Sequence, residues 1–271
     1  MPTSPKQHNL FAIYFSSNLV FDPHSPAVIS PEQTVPAEEM ALAAQFELPT
    51  FILFFSDTLL KALAESGRIE PLHPRLTIGS AAGRRPIYRI PGTGIGVALS
   101  GIGAPAAAGV VEELRVQFRT RNFLVFGSCG ALTDIPPGRM ILPTAARRDE
   151  GTSYHYAPAQ PYISIPQAGK LAGIFDELGV SYVMGKTWTT DAFYRETEDN
   201  LRRRAAEGCI CVDMECSALQ AVCDFRGLAF YPFLYSADSL HGSWSRRILG
   251  ALEKESRLQF FELAAAVAER I

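Results

Sequence analysis

The sequence predicts an α/β fold in a single layered domain, and three observations carry that prediction. Apolar runs of strand length alternate with helical stretches along most of the chain. Several of these runs are apolar throughout rather than at every second residue, the pattern of strands covered on both faces. Neither an internal repeat nor a low-complexity linker interrupts the 271 residues, so one domain accounts for them better than two.

In chain order, residues 1–48 are the least regular part, an N-terminal extension broken by Pro23, Pro26, Pro31 and Pro36. One helix fits there, from 37 to about 45, with Glu38 and Glu39 suited to its first turn. The domain proper spans 49–271. Residues 51–55 read as a buried strand closed by Ser56-Asp57, which can cap a helix over 58–65. The runs 86–90 and 95–100 flank Pro91-Gly-Thr-Gly94 as a hairpin-like pair. Pro105 suits the first turn of a helix reaching 118, where a missing N–H costs nothing. Residues 122–126 read as a buried strand ending in a Gly127-Ser-Cys-Gly130 turn. A short strand (139–143), a helix (170–178), a strand (180–186) and a charged helix (195–206) follow. The run 209–214 leads into a helix over 215–225, and the strand 228–235 ends in Ser236-Ala-Asp238. Residues 247–270 finish as one or two helices.

Composition narrows the functional classes. With 47% apolar and 20% charged residues, the chain is neither disordered nor fibrous. A net charge of -3 lacks the basic surplus of proteins that live on phosphate backbones, so nucleic acid is not the expected partner. Cys209, Cys211, Cys216 and Cys223 crowd together within an odd total of five, which is no disulfide framework and points to a reducing, cytoplasmic setting. No apolar stretch approaches the ~20 residues of a spanning helix, so no membrane partner is expected.

Three strands lead into Gly- or Ser-rich segments: Ser100-Gly-Ile-Gly-Ala-Pro105, Gly127-Ser-Cys-Gly130 and Ser236-Ala-Asp238. In α/β sheets, ligands bind at the carboxyl ends of strands, where amides offer donors. Gly101-Ile-Gly103-Ala-Pro-Ala106 also fits a dinucleotide fingerprint, but the acidic residue needed ~20 positions on is missing, that region reading Thr120-Arg-Asn122. Glu215 shares a helix face with Ala218, Leu219 and Val222. Two readings stay open for it: a carboxylate that needs a specific partner, or one that complements the helix dipole. Asp238, at a strand end, is either a proton donor or a cap. His155, among Tyr154, Tyr156 and charged neighbours, is either a substrate contact or a structural residue. Cys209 and Cys211 have no matching second pair, so no metal site is expected. No Gly-x-Ser-x-Gly elbow is present either.

The ordered set Gly101-Ile-Gly-Ala-Pro105, Phe126-Gly-Ser-Cys-Gly-Ala131, Val212-Asp-Met-Glu-Cys-Ser-Ala218 and Ser236-Ala-Asp238 resembles the nucleoside phosphorylase superfamily over about residues 50–270. The superfamily includes purine nucleoside phosphorylases, uridine phosphorylases and methylthioadenosine-type nucleosidases. The segment Arg148-Asp-Glu-Gly-Thr-Ser-Tyr-His-Tyr-Ala-Pro158 is closest to the uridine branch. The resemblance implies an α/β/α layered domain around a mixed twisted sheet, a homo-oligomer, and cleavage of a nucleoside N-glycosidic bond without metal or organic cofactor, inorganic phosphate being the possible co-substrate. It further implies that Glu215 clamps the ribose hydroxyls, with Asp213 and Met214 beside it, and that Asp238 protonates the leaving base. Phe193 would lie near the base, Ser128, Cys129 and Gly130 near the nucleophile, and Gly103 among the substrate-binding residues. His155 would contact substrate, and His8 would reach the 5′-hydroxyl. The chain departs from the phosphorylases where their two phosphate-binding arginines stand: Leu59 and Val125 replace them. Arg84, Arg85, Arg147 and Arg148 are other cations able to compensate. Phosphate and water both remain open as nucleophile, and the alternative is a non-catalytic nucleoside binder of the same fold.

Overall fold

The computed structural model describes residues 21–79, 83–251 and 254–271. Its strands are β1 (Thr50–Phe54), β2 (Glu70–Pro71), β3 (Thr77–Ile78), β4 (Arg85–Pro86), β5 (Tyr88–Arg89) and β6 (Ile95–Leu99), then β7 (Asn122–Ala131), β8 (Met140–Asp149), β9 (Tyr162–Ser164), β10 (Tyr182–Thr190), β11 (Cys209–Asp213) and β12 (Ala229–Ser239). The helices are α1 (Pro31–Thr34), α2 (Ala37–Ala43), α3 (Asp57–Glu65), α4 (Ala104–Phe118), α5 (Ser153–Tyr156), α6 (Ala168–Glu177), α7 (Glu198–Ala206), α8 (Cys216–Arg226) and α9 (Lys254–Ala268). No helix among the described residues is long and apolar enough to cross a membrane.

The main sheet runs β11-β10-β8-β12-β7-β1-β6-β5-β2, and β11 also pairs with β7, so the five strands from β7 to β11 close on themselves. Pairing is mixed. β1 lies parallel to β6 and β7, and β12 parallel to β7, while β12 and β8, and β11 and β7, are antiparallel. This is the mixed, layered α/β architecture that the sequence predicts.

Alternation along the buried strands supplies two cores. Phe51, Leu53, Phe123 and Val125 pack on one face with α4 and α8, while Ile52, Phe54, Leu124 and Phe126 pack on the other with α3, α6 and α9. That alternation is why these strands read as unbroken apolar runs. Helices α1 and α2 lie against α4, tied by the Arg115–Glu32 ion pair. The Ser56 hydroxyl accepts from the Leu59 amide at 3.2 Å and caps α3, as the sequence suggested.

Several boundaries differ from the sequence-based expectation. Gly127-Ser-Cys-Gly130 is not a turn: β7 runs through it to Ala131, because β12 stays in register alongside. Ser236-Ala-Asp238 likewise lies inside β12, with a register shift between Ser236 and Asp238. β8 extends to Asp149, well past the predicted 143, and β10 to Thr190 rather than 186, since each pairs with the other throughout. The charged helix begins at Glu198, after a separate 3-10 turn over Phe193–Arg195. α8 begins at Cys216, which makes Glu215 its N-cap rather than a member of its apolar face.

β6, which leads into Gly101–Gly103, is pressed against β1. A Cβ on Gly96 would stand 2.4–2.7 Å from ring carbons of Phe51, its register partner. Gly96→Ala should therefore cost about 1–3 kcal/mol through overpacking, read as a lower urea midpoint at unchanged slope. A variant as stable as the parent would contradict this packing.

Candidate active site

Gly130 is where the Gly127–Gly130, Val212–Glu215 and Ser236–Asp238 segments come together. On β7 it faces Val212 of β11 on one side and Asp238 of β12 on the other. A Cβ there would stand 2.4 Å from Leu240, 3.0 Å from Val212 and 3.4 Å from an Asp238 carboxyl oxygen. Glycine allows the strand ends to approach this closely.

Asp213 organises the next turn from inside the protein. One carboxylate oxygen accepts from the Thr187 and Thr189 hydroxyls at 3.0 and 2.8 Å; the other accepts from the Glu215 and Cys216 amides at 2.9 and 2.6 Å. Its side chain is buried, and its acceptor sites are taken up by the fold, so it positions Glu215.

The Glu215 carboxylate reaches back to the β6–α4 loop and accepts from the Gly103 amide at 2.7 Å. Gly103 has φ of 96°, a conformation that L side chains rarely adopt, and this turns its N–H toward the carboxylate. Burial, and next the charge of Asp213, push the Glu215 carboxyl up to about 8; the Gly103 and Met214 amides act in the opposite sense, and Asp191 adds repulsion. Of the two readings open in the sequence, the structure gives Glu215 a specific partner. The Gly103 amide, which the dinucleotide reading would direct at a pyrophosphate, is bonded to this side chain. Met214 lies beside it, partly exposed.

Asp238 is half-buried. Burial raises its carboxyl, opposed by a hydrogen bond from the Trp244 indole at 3.0 Å and by the Arg247 charge. Glu196 follows the turn that carries Phe193, and burial together with the Asp238 charge pushes it up to about 7. Phe193 is 50% exposed, its ring 3.9 Å from that of Tyr194. Trp244, Glu196 and the Asp191 charge were not legible as site features, because nothing local in the sequence distinguishes them.

A cavity of about 380 Å³ opens at the carboxyl ends of β1, β7 and β12, with Ser56, Ile102, Ser128, Ala237 and Arg257 among its walls. Ser128 is exposed to it, whereas the Cys129 thiol is turned into the core and donates to the Tyr235 carbonyl at 3.4 Å. Leu59 and Val125 are buried core residues. Of the other cations, Arg148 is buried and holds the Ala157, Pro158 and Gln160 carbonyls. Arg147 binds the Pro161 carbonyl, Arg84 pairs with Glu39, and Arg85 donates to the Ser100 carbonyl at 3.3 Å. His155 is exposed on α5 and makes no side-chain hydrogen bond among the described residues. His8 lies outside the described residues.

Residues 49–271 match the family model described as Phosphorylase superfamily. A guanosine phosphorylase of Halorubrum lacusprofundi is 33% identical over 142 residues, covering 51% of this chain and 58% of the relative. A DeoD-type purine nucleoside phosphorylase of Aliivibrio fischeri is 28% identical over 132 residues, covering 47% and 55%. The matched stretch thus spans little more than half the length of either relative. In fold, the chain is similar to an AMP nucleosidase from Bacteroides thetaiotaomicron, with a TM-score of 0.64 and 19% identity over 86% of this chain and 99% of the other. It is also similar to a purine nucleoside phosphorylase from Toxoplasma gondii in complex with immucillin-H, with a TM-score of 0.66 and 21% identity over 84% and 94%.

The Glu215 environment sets a pH dependence of stability. Its folded value of about 8 lies above the ordinary 4.5. The unfolded chain therefore gives up this proton first, and stability falls as pH rises between those values, by at most about 1.4 kcal/mol per pH unit. Glu215→Gln removes the titration while keeping an acceptor for Gly103, so its unfolding free energy should fall less than the parent's from pH 5 to 8. Parallel profiles would contradict the assignment.

Proposed function

Because the chain belongs to the phosphorylase superfamily, we propose that it cleaves the N-glycosidic bond of a nucleoside, with a purine base favoured. The observation that carries this reading is that Gly130 stands between Val212, which leads into Glu215, and Asp238, with the Glu215 carboxyl bound to a loop amide and the Asp238 carboxyl beside an indole N–H. The guanosine and purine nucleoside phosphorylases among its relatives support the base class.

In this mechanism the ribose 2′- and 3′-hydroxyls donate to Glu215, and Met214 packs against the sugar. Two hydroxyl donors and a sugar that becomes cationic favour ionised Glu215, offsetting the burial that holds its proton in the free protein. As the C1′–N bond breaks, its electron pair moves into the base. Asp238, raised by burial, delivers a proton to the base nitrogen. Phe193 offers a ring face to the base, and Glu196 lies within electrostatic reach of Asp238. An oxygen nucleophile held near Ser128 attacks C1′, phosphate yielding ribose 1-phosphate and water yielding ribose. Gly103 and Gly130 shape the backbone, Asp213 fixes Glu215, and Cys129 packs beneath. We also infer a homo-oligomer, supported by the exposed Ile102, Tyr194 and Trp244, and a cytoplasmic setting, supported by five free, buried cysteines; sedimentation and fractionation test these two points.

Base release from a mixed panel of purine and pyrimidine nucleosides, with phosphate present and rigorously removed, tests the reading. Release with either nucleophile supports it; binding without release under both conditions makes the protein a nucleoside binder instead. Asp238→Ala should lower kcat for purine nucleosides by about 10²–10⁴-fold, the usual contribution of a general acid. Glu215→Gln should reduce kcat/KM by a comparable factor, and unchanged kinetics in either variant would overturn that residue's role.

A further inference from the structure

At the end of β12 the chain turns back at once. Ser239 and Ser245 exchange backbone hydrogen bonds at 2.9 and 2.8 Å, closing a loop that turns at Gly242, where φ is 78°. The return leg is fastened on the other side of Asp238 too, where the Ile248 amide donates to the Ala237 carbonyl at 3.0 Å. Between those ties Arg247 has φ of 45° and gives its guanidinium to the Ile135 carbonyl. A non-glycine residue persists in that conformation only where its surroundings hold it. This fixed loop carries Trp244, whose indole N–H donates to Asp238 Oδ2 at 3.0 Å. Among the described residues no other side chain donates to that carboxyl; Arg247 and Glu196 interact with it through charge alone. Oδ1 is turned toward Gly130, 3.4 Å from where a Cβ of that residue would stand. The two carboxyl oxygens therefore differ, one bound to the indole and the other without a side-chain donor. The Trp244 ring is 64% exposed, so packing contributes little to its placement.

We propose that Trp244 is a positioning residue for proton delivery: its indole N–H orients Asp238 through Oδ2 and stabilises the carboxylate that forms when Oδ1 gives its proton to the base. The inference rests on the glycosidic reading above and adds the residue that acts through its acid. As the C1′–N bond breaks, its electron pair passes into the base, and a base nitrogen takes the proton from Oδ1. The negative charge left on Asp238 spreads over both oxygens. The hydrogen bond from Trp244 then changes from a neutral one to a charge-assisted one. An interaction that strengthens on the way to the transition state lowers the barrier, whereas one equally strong in both states does not. An indole suits the task because it donates without carrying charge. A guanidinium or ammonium in its place would hold Asp238 ionised beforehand and leave it no proton to give.

The test uses the full chain with the best purine nucleoside of the panel and its N7-methylated counterpart, whose base is already cationic and leaves without a proton. Trp244→Phe keeps an aromatic ring and removes the N–H. It should lower kcat for the ordinary nucleoside by about 10-fold, the factor expected from one hydrogen bond that strengthens as its acceptor becomes charged. Its KM should stay near the parent's, and so should kcat for the methylated nucleoside. In a double-mutant cycle, Trp244→Phe should cost nothing further once Asp238→Ala is in place. NMR reads the contact itself. The indole N–H resonance missing from Trp244→Phe should move in Asp238→Ala, while that of Trp188, bonded to Asp149, should stay and report an intact fold. An unchanged kcat in Trp244→Phe, equal losses for the two nucleosides, additive losses in the cycle, or an indole resonance indifferent to Asp238→Ala would each overturn the role of Trp244. Base release by the parent leaves the glycosidic reading standing in all four cases, whereas no release from the parent would remove both.

Discussion

The site depends on one buried carboxylate that touches no substrate in the proposed mechanism. Asp213 accepts two hydroxyls from β10 and two amides from the start of α8, tying the end of one strand to its neighbour and to the helix that follows. The Thr189 hydroxyl extends the tie by accepting from the Ser217 amide at 3.1 Å, and the Ser217 hydroxyl donates to Glu150 at 2.8 Å. A buried, charged acceptor is tolerated only when its lone pairs are satisfied, and Asp213 meets that condition with local donors. Glu215 then leaves the helix N-cap in a fixed direction, toward Gly103.

That direction explains why the loop after β6 matters as much as the helix. Gly103 takes a backbone conformation unsuited to a side chain, and its amide donates to the Glu215 carboxylate. The fold thus holds an acid group in a place that disfavours its charge. Such a group stands ready for a ligand that brings hydroxyl donors or positive charge, because either lowers the cost of ionising it. Two further raised carboxyls, Asp238 and Glu196, act on each other, and the Trp244 indole donates to Asp238. Two acids held in different surroundings are what separate sugar binding from proton delivery require.

The fold class was legible in the sequence because strands buried on both faces write unbroken apolar runs, as in 51–54 and 123–126. The order of the Gly- and Glu-bearing segments carried the family resemblance. The ends of the long strands were not legible. Gly127, Gly130 and Asp238 have poor local preference for strand, yet parallel pairing between β7 and β12 carries through them, and close neighbours occupy the space that side chains would fill. Glu215 was readable as a special carboxylate, but its partner lies 112 residues away, where no local pattern reaches.

The central claim is that Glu215 takes up the sugar, and carbon-13 NMR of labelled glutamate carboxyls tests it most directly. The resonance absent from Glu215→Gln identifies the residue. In the free protein that carboxyl should titrate near 8, well above an ordinary glutamate. A saturating nucleoside should bring it to the ionised form at neutral pH. A Glu215 signal that titrates as an ordinary glutamate, or that is unmoved by a nucleoside known to bind, would contradict the account.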